Sequence, residues 1–262
     1  MTTIHPTAIV EEGAQLGTHV DVGPYAIISS QAQVGDRCRI ATHAVILGHT
    51  ILGNDCSVHA TAVVGDVPQD TSYEEGIASS VRIGDRTRIR EGAVIHRGTA
   101  PGSSTIIGND CFIMNHCHLA HEVILHDGVA MAGGVQIAGH VEVGEGTFIG
   151  GTAAVHQFVK IGRLAMIGGG MMITQDIPPF SMGRSGSLNA LNGLNVVGMR
   201  RGGMGPEERK ELKRAYHVAF RSSMSKEEIL QELRTDFSSP LVGELADFIE
   251  SSTRGVCRDH DG

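Results

Sequence analysis

The sequence predicts a mainly β chain: a parallel β-helix of six-residue repeats over residues 1–189, then an α-helical domain over 190–262. Three observations predict it. Every sixth residue from Ile4 to Val64 is aliphatic, and of the sixteen such positions from Ile83 to Ile173 all are apolar except Pro101. Glycine is abundant at 35 residues, while aromatics make up 4% and Trp is absent. A core without large rings must be filled repetitively by small and aliphatic side chains. After Ile173 the period stops, and patterns that start helices replace it.

Within a hexad the aliphatic residue fills the interior. Four residues on stands a small or β-branched residue, as at Ala8, Ala14, Val20, Ala26 and Cys38. Glycine often holds the second place, as at Gly17, Gly23, Gly35 and Gly53, and is expected to permit the turn. One short strand and one turn per hexad make a triangular prism of eighteen-residue coils, with residues eighteen apart stacked at roughly 4.8 Å. The chain resembles hexapeptide-repeat proteins in this, which implies a left-handed prism. That hand opposes the usual crossover preference and does not follow from the period. Cys38, Cys56, Cys111 and Cys117 fall on the inward small position and read as core filler. Five cysteines without a C-x-x-C pair argue against a disulfide framework or zinc ribbon.

The register slips between Val64 and Ile83, which lie nineteen residues apart where eighteen are expected. An external loop over about 66–82 accounts for it, and Pro101 in "TAPGSST" marks a shorter excursion. Loops on a rigid scaffold are common places for binding residues. "QDIPPF" ends the prism. Pro206 opens a helix through "PEERKELKRAYHVAFRS", Ser225 with Glu228 forms a capping box, and a third helix begins near Pro240.

A net charge of −8 with 19% charged residues argues against general nucleic-acid binding. No signal peptide and no apolar run of membrane-spanning length is visible. A soluble cytoplasmic protein with reduced thiols is expected.

"NHCHLAHE", residues 115–122, concentrates three histidines. His116 takes position four of its hexad, His118 position six, and His121 position three of the next. None is an inward position, so all three should face outward and none should be a core histidine. One coil beyond His121 come Gly139 and His140, and two coils beyond come His156 and Gln157. These form a ladder on one edge of the prism, and its bland counterpart is a solvated polar edge. Trimeric γ-class carbonic anhydrases use three histidines on this fold, two close together and one about two coils earlier. Here Ser79 and Ser80 stand at that earlier place, so no metal and no cofactor is expected.

The ladder is joined by more specific segments: "HPTAIVEEGA" (5–14), "GHT" (48–50), "IGDRTRIREGAVIHRGT" (83–99), "HLAHE" (118–122), "AGHV" (138–141), "GGTAAVHQF" (150–158), "QDIPP" (175–179) and "SSTRG" (251–255). With these the chain resembles the bacterial UDP-N-acetylglucosamine 3-O-acyltransferases over essentially its whole length. The resemblance implies transfer of a 3-hydroxyacyl group from acyl carrier protein to the 3-hydroxyl of UDP-GlcNAc, the first step of lipid A synthesis. His121 would be the general base and Gly139 the backbone donor to the oxyanion, with no covalent acyl-enzyme. The eighteen-residue offset independently places Gly139 over His121. Glu122 stands where the family usually has an orienting Asp.

By the same carry-over, His118, His140 and Gln157 contact the sugar nucleotide or position the acyl group, and Asp70 contacts the sugar. Asn195 and Arg201 lie near the nucleotide end. His156, Met166 and Gly169 line the acyl groove, with glycine at 169 leaving room for a longer chain. Ser72, Val197 and Gly202 depart from the family's usual Lys, acidic residue and second Arg. The basic stretch 199–221 suits docking of acidic acyl carrier protein, and a homotrimer with sites between subunits is implied. Alternatives are the same transfer to a 3-amino sugar nucleotide, an acetyl-CoA-dependent hexapeptide acetyltransferase, and an inactive structural hexapeptide trimer.

Overall fold

The computed structural model describes residues 1–259. Among these the hexads form three long parallel ladders, the faces of a left-handed prism, within sheets of twelve, nine and eight strands, the first of which gains its last three strands beyond the hexads. The first sheet begins at Thr3–Ile4, the second at Ile9–Val10 and the third at Gln15–Leu16. Thr3 pairs with Asp21 and Ile4 with Val22, which is the eighteen-residue offset. The inward aliphatics, among them Ile28, Ile40, Ile46, Ile95, Ile113 and Leu119, are buried, and so are Ala26, Ala44 and the cysteines of the repeat. Each such aliphatic contributes roughly 1.5–3 kcal/mol by leaving water. Each coil contacts chiefly its neighbours, so stability accumulates coil by coil.

The role expected for the second-position glycines needs correction. The left-handed turn residue is the one at position four, and it is often not glycine: Arg37 (φ 56°), Asp55 (φ 57°), His116 (φ 54°) and His140 (φ 59°). Gly35 is not left-handed. A Cβ there would come 2.7 Å from the carbonyl carbon of Gly53 in the next coil. Close stacking, not turn geometry, selects glycine at that place.

The loops are also larger than the register slip implied. Leu52 pairs with Ile83, 31 residues on, so the coil carries 31 − 18 = 13 extra residues. Thirteen is two hexads plus one, and a six-residue count therefore sees only the leftover residue. Ile89 pairs with Ile113, 24 residues on, which leaves 24 − 18 = 6 extra residues around Pro101.

Past Ile173 the strands Ser181–Gly183 and Ala190–Leu194 pair antiparallel and extend the first sheet. A short helix α1 (Val196–Arg201) follows, then α2 (Pro206–Arg221), α3 (Lys226–Thr235) and α4 (Pro240–Ser251). Ser225 and Glu228 make the capping box of α3. Arg258–Asp259 then returns to pair with Ala190–Leu191. Asp176, 2% exposed, clasps this return: its carboxylate accepts from the Lys160 N–H (2.8 Å) and the Ser252 hydroxyl (2.6 Å). Phe180 at the prism end packs with Met199, Leu212, Leu245 and Ile249, so helices and prism share apolar contact.

At the corner between the third and first sheets, side-chain oxygens cap backbone N–H groups from coil to coil. Asn54 Oδ1 accepts from Asp36 N (2.8 Å), Asp85 Oδ1 from Asn54 N (2.7 Å), and Asn109 Oδ1 from Asp85 N (2.8 Å). Asn54→Ala should lower unfolding free energy by about 1–2 kcal/mol by stranding the Asp36 N–H. Arg37→Ala, at an exposed and solvent-screened pair with Asp55, should cost less than Asn54→Ala. Denaturant unfolding of the two variants measures the difference.

Candidate active site

The corner between the second and third sheets carries the ladder. The strand His118–Leu119 enters it, the strand Ile124–Leu125 leaves it, and His121 and Glu122 lie between. Glu122 is the left-handed residue (φ 51°), followed in the coils above by His140 and Phe158. The His140 N–H donates to His121 O, and the Phe158 N–H to Gly139 O, each at 3.0 Å. A Cβ on Gly139 would lie 2.7 Å from His121 Nε2. Only glycine lets the backbone pass directly over the imidazole. The Gly139 N–H has no hydrogen-bond acceptor among the described residues.

His121 is 13% exposed in its side chain and Glu122 14%. Nδ1 of His121 meets Glu122 Oε2 at 2.6 Å. The other oxygen, Oε1, accepts from Thr99 N (2.6 Å), Ser103 Oγ (2.6 Å) and Thr99 Oγ1 (3.0 Å). Burial by itself would raise the Glu122 pKa. Hydrogen bonds from Ser103, Thr99 and His121 outweigh it and hold the carboxyl below its usual range. An ionised Glu122 keeps the proton on Nδ1, which leaves the Nε2 lone pair free to accept one.

The thirteen-residue loop brings Asp70 to this nitrogen, with Oδ2 3.7 Å from Nε2. The Ser72 hydroxyl and N–H donate to Asp70 Oδ1 at 2.7 and 2.8 Å. They lower its pKa, and the neighbouring His121 and His140 add to the effect. His140 meets His121 edge-on with centroids 5.3 Å apart, and stacks on Phe158 at 4.7 Å.

His116 turns the corner between the first and second sheets, so it does not share an edge with His121. The three-histidine zinc pattern is thereby split. Among the described residues the donor set within cation reach is instead His121, Glu122 and His140.

His118 faces outward from its strand, yet its Nε2 is buried without a partner, because outward does not mean exposed here. Its ring lies edge-on to buried His96 at 5.1 Å. Burial, then His96, pushes its pKa down. His156 and Gln157 are exposed on the ladder, with Arg254 Nη2 3.3 Å from His156 Nδ1.

Other expected site residues lie elsewhere in this chain. Met166 is on the outer face of the first sheet, and Gly169 turns the corner between the first and second sheets. Asn195 and Arg201 line a cleft of about 470 Å³ beside Leu164, together with Phe148, Met166 and Val197. The Asn195 side chain caps α1 by accepting from Gly198 N (2.9 Å) and donates to Leu164 O (2.8 Å). The spacing did not reveal Thr99, Ser103, His96 or Phe158. The first three adjoin the insertions, where the eighteen-residue count fails.

A hexapeptide prism with a carboxylate-tied histidine beneath a stacked glycine defines an acyltransferase of the hexapeptide-repeat class. Residues 104–139 match the family described as bacterial transferase hexapeptide (six repeats), and residues 176–257 match UDP-N-acetylglucosamine O-acyltransferase, domain 2. An acyl-[acyl-carrier-protein]–UDP-N-acetylglucosamine O-acyltransferase from Alkalilimnicola ehrlichii is 44% identical over 98% of this chain and 100% of its own. Among solved structures, the UDP-N-acetylglucosamine acyltransferase from Campylobacter jejuni is 40% identical with a TM-score of 0.90, covering 98% of this chain and 99% of its own. That from Arabidopsis is 35% identical with a TM-score of 0.89, covering 98% and 100%. The chain belongs to the UDP-N-acetylglucosamine O-acyltransferase family.

Because the folded pKa of Glu122 is depressed, its contribution to stability is present above the unfolded carboxyl value of about 4.3 and is lost as pH falls through the folded one. Glu122→Gln should therefore lose less stability than the parent between about pH 5 and pH 3. Urea unfolding at the two pH values reads this directly.

Proposed function

We propose that this chain transfers a 3-hydroxyacyl group from acyl carrier protein to the 3-hydroxyl of UDP-N-acetylglucosamine. The observation that carries the reading is the unpartnered Gly139 N–H stacked over a His121 whose Nδ1 is tied to Glu122. His121 Nε2 removes the proton from the sugar hydroxyl as its oxygen attacks the thioester carbonyl. The Gly139 N–H donates to the oxyanion that forms. When the tetrahedral carbon collapses, the C–S bond breaks and the imidazolium returns its proton to the leaving sulfur. Asp70, His118, His140 and Gln157 hold the sugar nucleotide around the corner. No metal, cofactor or acyl-enzyme takes part in this scheme.

A homotrimer belongs to the proposal. Met166, Gly169, Asn195 and Arg201 lie away from the His121 corner, so a site that includes them needs a neighbouring copy. Exposed Met172 (52%), Met166 (39%) and Phe148 (36%) give that neighbour apolar surface to cover. The donor would dock on a groove of about 440 Å³ in the helical domain. Arg209, Lys213, His217 and Arg221 line it above Leu194, Val196 and Met199, and this basic rim suits an acidic carrier. A reducing cytoplasmic setting goes with the reading, and the five free buried thiols suit it.

His121→Ala should cut transfer by about a thousandfold, and Gly139→Ala by about a hundredfold or more, since it displaces both donor and base. Steady-state assays with purified 3-hydroxyacyl carrier protein and UDP-GlcNAc read both, and transfer only to the 3-amino analogue would reassign the acceptor. Gly169→Met should shift preference toward shorter donors, and an unchanged chain-length profile would remove Gly169 from the acyl groove.

A further inference from the structure

We infer that Ser103 and Thr99, carried by the six-residue insertion around Pro101, are positioning residues for the reaction, acting through Glu122 on His121. The inference rests on the general-base reading of His121. Glu122 Oε2 meets His121 Nδ1 at 2.6 Å and lies 3.7 Å from His140 Nε2, and the hydrogen bonds that the carboxylate accepts from other residues all fall on Oε1. Three donors converge there: the Ser103 hydroxyl at 2.6 Å, the Thr99 N–H at 2.6 Å and the Thr99 hydroxyl at 3.0 Å. Ser103 is itself held by the Ala100 N–H, which donates to its Oγ at 3.1 Å. The chain also presses against the carboxylate at Gly98, where a Cβ would come 2.8 Å from Oε1. A side chain so little exposed has exchanged most of its water for these partners.

The consequence concerns the proton on His121. With Oε1 held, Oε2 is aimed at Nδ1, and the neutral ring is confined to the tautomer whose Nε2 can accept a proton. Without the hold, a glutamate has one more rotatable bond than an aspartate and can swing away. The insertion thus supplies what the longer side chain lacks by itself. Aspartate at 122 would fall about 1.5 Å short of the Ser103–Thr99 cradle.

The test uses the full-length protein with Ser103→Ala, Ser103→Thr and Thr99→Val, alone and with Glu122→Gln. Two readouts are taken: steady-state acyl transfer, and 15N NMR of histidine-labelled protein, with the His121 signals assigned from His121→Ala. Ser103→Ala should lower kcat roughly tenfold while KM for both substrates stays within about twofold. It should convert a predominantly Nδ1–H imidazole into a mixture of tautomers. Ser103→Thr, which keeps the hydroxyl, should retain the parental tautomer, and Thr99→Val should move both readouts in the direction of Ser103→Ala but less. In the Glu122→Gln background Ser103→Ala should add no further loss, because the two act on one unit. An unchanged tautomer in Ser103→Ala overturns the inference, as does an equal fold-loss with and without Glu122. If the parent transfers no acyl group to UDP-GlcNAc, the proposed activity fails, and the tautomer comparison still decides the role of Ser103.

Discussion

Successive coils lie against one another at backbone-contact distance, and both the fold and its chemistry depend on that closeness. The parallel ladders that hold the prism together leave no room for a Cβ at Gly35 against Gly53, or at Gly139 against His121. In the first case the constraint is purely structural. In the second the same stacking sets an unpartnered backbone N–H over an imidazole. A donor fixed by a stack of rigid coils needs little reorganisation when charge develops beside it, which is the condition for effective electrostatic stabilisation. The candidate site is therefore an ordinary rung of the scaffold with one side chain removed.

Regular coils supply only what lies eighteen residues away. Groups needed at other heights must come from outside the count, and the two insertions do this. The thirteen-residue loop brings Asp70 to within 3.7 Å of His121 Nε2. It is pinned by His96 Nδ1, 2.6 Å from Val67 O, and by Arg97, which donates to the Tyr73 hydroxyl at 2.9 Å. The six-residue insertion brings Thr99 and Ser103 to Glu122. One insertion thus reaches His121 Nε2 directly, and the other acts on Nδ1 only through Glu122.

The C-terminal helices close the open end of the prism. A β-helix exposes unpaired strand edges at its last coil, which invite association with other chains. Here Ser181–Gly183, Ala190–Leu194 and Arg258–Asp259 extend the first sheet past the last regular coil. Phe180 is buried among α-helical side chains, and Asp176 ties the return segment down. The same helical unit carries the basic groove above Leu194 and Met199.

The period of six and the choice of aliphatic and small residues by themselves determined the prism, its core and the stacking of Gly139 over His121. These follow from repetition, because in a repeat one offset applies everywhere. Proline and capping residues likewise marked α2, α3 and α4, since the groups that start a helix are local. Only the tertiary structure decided that the second-position glycines answer to the neighbouring coil rather than to a turn. It alone set the loop lengths, because a count modulo six cannot tell one extra residue from thirteen. It alone brought Asp70 to the histidine and Thr99 and Ser103 to its glutamate, and buried Nε2 of His118 on a position that faces outward. Those contacts depend on where an irregular segment comes to rest in space, and no local pattern of residues encodes that position.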